Sequence, residues 1–173
     1  MGALSKLRNR DLVWVAQEGS WDSALRAGGE EVGFLRFERG TIERATGGIE
    51  GRTWTLEHKD SVTHPRILVL AEGSTDPAAM FDYGVNGVGV VSFPDGVRYH
   101  FRPSFPGSRT WCFRREGEKA RVCVAEDPPN RRGSKVRVCG DAASQPETPI
   151  LVLVGWFLQV QIYERFMTSL VVW

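Results

Sequence analysis

From Thr148 to Tyr163 the chain carries no charged side chain, and the run ILVLVGWFLQVQIY at 150–163 is apolar on every side except at Gln159 and Gln161. A helix of that kind has no solvent face, so it must lie in a protein core or in a bilayer. Thr148 as N-cap and Pro149 at the first helical position predict where it begins, because proline's missing N–H costs nothing there. A start at Ser144, where SQPE has the form of a capping box, would place Pro149 where a donor is already needed. The expected helix spans about 149–165. Its uncharged part is about 22 Å long, short of the ~30 Å of a bilayer core, and a longer span would place the pair Glu164 and Arg165 near its middle. Burial inside protein is the reading adopted, with a C-terminal membrane helix as the alternative. Gln159 and Gln161 point to different sides of the helix, and each needs partners if buried.

Everything before this run reads as strands. Asp11 to Ala16 opens the series, and 21–27 reads as a connecting helical turn before Gly28-Gly29. Residues 31–37 and 41–45 flank Arg39-Gly40 as a hairpin that Gly47-Gly48 closes. In 51–58, Trp54 and Leu56 share one face, as in a half-buried strand. Residues 66–70, 80–83 and 87–93 follow as short strands. Phe93-Pro94-Asp95-Gly96-Val97 is a turn signal leading to 97–101. Residues 109–114 and 120–124 form a second hairpin, 135–139 is the last alternating strand, and 170–173 returns after the helix as a closing strand. With no repeat of fixed period, about ten to twelve strands remain, enough for a barrel that encloses a helix. The expected fold is mainly β, a closed antiparallel barrel of about twelve strands around one buried apolar C-terminal helix, as a single domain over 1–173.

Around the apolar segment 149–163 the pattern resembles the tubby C-terminal-like superfamily, which includes tubby, the LURP-one-related proteins and the phospholipid scramblases. The resemblance implies a closed twelve-stranded barrel around an apolar C-terminal helix. It also implies a phosphoinositide-binding membrane adaptor rather than an enzyme. No headgroup-binding residue of that family is carried onto a position of this chain, and no Asp-rich loop of the EF-hand kind supports calcium binding.

Charge points the same way. Residues 1–96 hold 10 basic and 14 acidic side chains, 97–140 hold 11 and 4, and 141–173 hold 1 and 3, so the middle segment carries +7 within a chain of +1. Arg109, Arg114, Arg115, Lys119, Arg121, Arg131, Arg132, Lys135 and Arg137 make up the candidate anion-binding set, since guanidinium forks fit phosphate and carboxylate oxygens. The competing reading is a solvated strand face. Trp111 and Phe113 are expected on the opposite face, which argues against a stacking platform for single-stranded nucleic acid.

No catalytic set emerges. His58, His64 and Asp60 lack a spacing that forces a metal site, and neither a nucleophile elbow nor a phosphate-binding glycine loop occurs. No cofactor or metal is expected. Cys112 and Cys123 share parity, and a four-residue loop at 116–119 would set them opposite, whereas a two-residue loop would not; a reducing cytoplasm leaves them as thiols. The N-terminus has no signal-peptide core or myristoylation pattern. These features predict a monomeric cytoplasmic binding or adaptor module, peripheral at the membrane in one form, with an anionic membrane surface or an acidic protein as partner. The alternative is a carrier or enzyme with a pocket at the barrel mouth.

Overall fold

Alternation with period two dominates the chain up to residue 138, and each alternating run becomes a strand with its apolar set turned inward. The computed structural model describes residues 11–59, 64–84, 88–103, 110–125 and 133–170. In chain order the strands are β1 (Asp11–Ala16), β2 (Ser23–Ala27), β3 (Glu30–Phe37), β4 (Arg44–Ile49), β5 (Arg52–Lys59) and β6 (Arg66–Ala71), followed by β7 (Pro77–Tyr83), β8 (Gly89–Ser92), β9 (Arg98–Pro103), β10 (Trp111–Arg115), β11 (Arg121–Ala125) and β12 (Gly133–Val138). A 3₁₀ turn at Gly140–Ser144 leads to α1 (Thr148–Leu170). Each strand pairs antiparallel with its sequence neighbours, and β1 pairs with β12, with Asp11 opposite Arg137 and Trp14 opposite Ser134, so that the sheet closes into a barrel. Closure removes the exposed edges that an open sheet would present.

Consecutive residues of α1 reach different walls, as the 100° step of a helix requires. Trp156 stacks on Trp14 of β1 with ring centroids 5.7 Å apart, and Phe157 stacks on Phe37 of β3 at 5.7 Å. A Cβ at Gly155 would lie 2.3 Å from the Trp111 ring of β10, and one at Gly47 of β4 would lie 2.8 Å from Leu153. Leu151, Val152, Leu153, Val154 and Phe157 are fully shielded. Gln159 and Gln161 are buried too, and the Gln161 amide N–H donates to the Ile42 carbonyl.

Several expectations are corrected. Residues 23–27 are strand β2 rather than a helical turn, because Ser23, Leu25 and Ala27 alternate into the core and pair with both β1 and β3. The strand after the Arg39-Gly40 turn starts at Arg44, and Gly47 and Gly48 lie inside it. Gly47 leaves room for Leu153, and Gly48 lies under the Phe34 ring. Thr148 does not cap α1: its hydroxyl donates to the Ala142 carbonyl, and the first helical bond runs from Leu151 N–H to the Glu147 carbonyl. The helix passes the expected end near 165 and runs to Leu170, so Leu170 does not open a closing strand; residues 171–173 lie outside the described set. Glu164 sits half-buried near the barrel end, which lets the helix tolerate the charge and continue. Among the described residues no helix is long and apolar enough to cross a membrane.

The cysteine pairing also differs. Cys112 faces Val124, and Cys123 faces Phe113, because a bulge between Phe113 and Arg114 shifts the register of β10 against β11. The extra residue of a bulge changes which positions stand opposite one another. Cys112 is a half-buried free thiol.

Candidate functional site

The outer face of β9–β12 is built by its inner face. Tyr99, Phe101, Trp111 and Phe113 are at most 1% exposed. Phe101 lies 5.1 Å from Phe113 and 5.8 Å from Trp111, ring to ring. Because strand side chains alternate, this aromatic wall turns Arg98, His100, Arg102, Cys112 and Arg114 outward. The four strands carry Arg98, Arg102, Arg114, Arg115, Arg121, Lys135 and Arg137, and no Asp or Glu.

The register assembles these groups into rows. Arg114 stands between His100 of β9 and Arg121 of β11. One pleat away, Arg102, Cys112, Val124 and Arg137 follow each other across the same strands. Part of the charge is neutralised at the margins. Arg98 donates to Glu116 at 3.1 Å, Arg115 lies 3.9 Å from Glu118, and Lys135 lies 2.9 Å from Asp11. Among the described residues, Arg114, Arg121, Arg102 and Lys119 have no carboxylate within ion-pair distance.

Of the nine sequence-derived candidates, Arg114 and Arg121 come together as a cross-strand pair, and Arg137 lies exposed on β12. Arg115 and Lys135 are held in marginal ion pairs. Lys119 is exposed in the loop between β10 and β11. Arg109, Arg131 and Arg132 lie outside the described residues. Sequence reasoning missed Arg102 and Arg98. Their signal was the parity of RYHFR, in which two aromatics facing in require the flanking arginines to face out.

Among the described residues no group of three or more His, Cys, Asp or Glu is placed to hold a metal. His58, inward on β5, instead joins Glu43 to Tyr83: its Nδ1 lies 2.5 Å from Glu43 Oε2, and its Nε2 lies 2.7 Å from the Tyr83 hydroxyl. Asp60 lies outside the described residues.

At the same end of the barrel a cleft of about 670 Å³ opens between residues 19–22, residues 37–42 and Glu164 of α1. Trp21 and Phe37 supply its apolar walls, and Asp22, Glu38, Glu164 and Arg39 its charges. Compared with family models, with curated proteins and with solved structures, the chain has no significant match.

Proposed function

We propose that the chain is a non-enzymatic binding module whose β9–β12 face docks on an anionic membrane surface. The observation that carries this reading is the Arg114–Arg121 pair. Like charges directly opposite on neighbouring strands destabilise a sheet, and among the described residues no carboxylate lies within ion-pair distance to offset the repulsion. A polyanionic partner would supply counter-charge to Arg102, Arg114 and Arg121 together. The rigid aromatic wall behind them supports the reading, since a prepositioned set loses little entropy on binding.

The tubby-like assignment belongs to the same proposal. It is supported by the strand number, by the antiparallel meander and by the shielding of Leu151 to Val154 and Phe157, and in it α1 as a whole acts as the apolar filling of the barrel.

The test is sedimentation with vesicles of phosphatidylserine and phosphatidylcholine, against phosphatidylcholine alone, at two salt concentrations. Binding should require the anionic lipid and weaken as salt rises, because screening shortens the reach of exposed charges. Arg114→Glu with Arg121→Glu should abolish it while shifting stability by only about 0.5 kcal/mol per site. Unaltered vesicle binding by the folded double variant would return this face to a solvated strand surface.

A further inference from the structure

A groove of about 470 Å³ lies on the outer wall of β3–β5, away from the basic face, with Phe34, Arg36, Glu38, Arg44, Thr46 and Thr55 in its lining. Its construction starts from a glycine. Gly48 stands opposite Phe34, and the Phe34 ring lies across the bare backbone of β4, where a Cβ would collide with it. Two residues on, Arg36 leaves β3 on the same face, and its guanidinium carbon lies 4.7 Å from the centre of that ring. A guanidinium over an aromatic face is held there by attraction to the ring, and it keeps the N–H donors in its own plane for another partner. A long side chain placed in advance loses less rotamer freedom when it binds.

The register brings hydroxyls to the same row. Arg36 is directly opposite Thr46 of β4, and Thr46 is directly opposite Thr55 of β5. Residues so paired have Cβ atoms about 5 Å apart. Thr46 is exposed beside the guanidinium, and Thr55, half-buried, closes the groove behind it.

Charge decides what this row suits. Arg44, the other cation of the groove, is already spent on two carboxylates, Glu57 at 3.2 Å and Glu38 at 3.9 Å. Among the described residues no carboxylate lies within ion-pair distance of Arg36. One positive charge is therefore on offer, and Glu38, two residues further along the chain, repels any excess of negative charge. A dianion exceeds that offer, whereas a planar monoanion with two oxygens matches a single guanidinium fork.

We propose that the groove at Phe34, Arg36 and Thr46 binds a carboxylate, which the Arg36 guanidinium holds by a paired contact and the Thr46 hydroxyl by a further hydrogen bond. The site does not depend on the membrane reading.

Amide NMR titration of the full chain at constant ionic strength tests it. The probes are sodium propionate as a free acid, N-acetylglutamate α-amide as an acidic side chain, propionamide as the neutral isostere and sodium sulfate as the dianion. Both carboxylates should give saturable shifts confined to residues 34–38, 44–48 and 53–57, sulfate should bind more weakly, and propionamide should give no shift. Whichever carboxylate saturates at the lower concentration identifies the source of the ligand, and either result supports the site. Arg36→Lys keeps the charge but loses the fork, and should weaken both carboxylates about tenfold. Thr46→Val removes the hydroxyl at nearly constant shape, and should weaken them about threefold; it provides the second variant should Arg36→Lys disturb the strand. Absence of saturation, equal shifts with propionamide, tighter binding of sulfate, or full affinity in both folded variants would overturn the proposal.

Discussion

At the residue scale, Tyr99 shows how a barrel wall turns burial into chemistry. Its ring is fully shielded, and its hydroxyl donates to Gln145 Oε1 at 2.9 Å. Burial, reinforced by the Glu147 carboxylate and opposed by Arg115, pushes the phenol up to about 12 from 10.0. A phenol that holds its proton more tightly in the folded chain contributes stability that is fully present below the unfolded value, and loses it as pH rises through the folded value. The window is therefore pH 10 to 12. Absorbance titration should show one of the three tyrosines ionising about two units late, and Tyr99→Phe should remove that step and flatten the alkaline loss of stability. If every tyrosine ionises near 10.0, the phenol is not held as described.

At the element scale, α1 is limited by volume rather than by helix propensity. Replacing glycine by alanine inside an exposed helix gains about 1 kcal/mol. At Gly155 the added methyl would stand 2.3 Å from a Trp111 ring that is itself 1% exposed. Overpacking of that kind costs about 1–3 kcal/mol, so Gly155→Ala should lower the melting temperature although it favours the helix. Val154→Asp should go further and prevent folding, because its carboxylate would enter the core without a partner. Thermal denaturation followed by circular dichroism distinguishes the cases. A Gly155→Ala chain that melts higher than the parent would contradict the packing of α1 on β10.

At the scale of the whole molecule, closure is the event with the largest entropic cost. β1 and β12 pair across more than a hundred intervening residues, whereas every other strand pair joins sequence neighbours. Long-range pairing slows folding to about milliseconds to seconds. Stopped-flow refolding should therefore show tryptophan burial completing on that timescale, together with the last strand signal, since Trp14 and Trp156 stack across the β1 wall. Completion within microseconds would mean that closure is not part of the folding barrier. Closure also brings Asp11 against Lys135 and sets the limit of the basic face at β1.

What the sequence determined by itself was local. Parity alone places Trp54 and Leu56, or Trp111 and Phe113, on an inner face, because alternation is a property of a few consecutive residues. The absence of charge over 148–163 marks an apolar helix, and the excess of arginine over 97–140 marks a basic segment. Tertiary structure decided whatever depended on register and on contact between distant segments. The bulge beside Arg114 sets that residue opposite Arg121 and separates Cys112 from Cys123. Ser23–Ala27 becomes a strand because two neighbouring strands hold it, while its five residues are too few to show a period. Glu43, His58 and Tyr83 meet from three places in the chain, and Gln161 meets Ile42 across 119 positions. Such meetings leave no mark in local composition, since they arise only when the sheet closes and its lumen is filled.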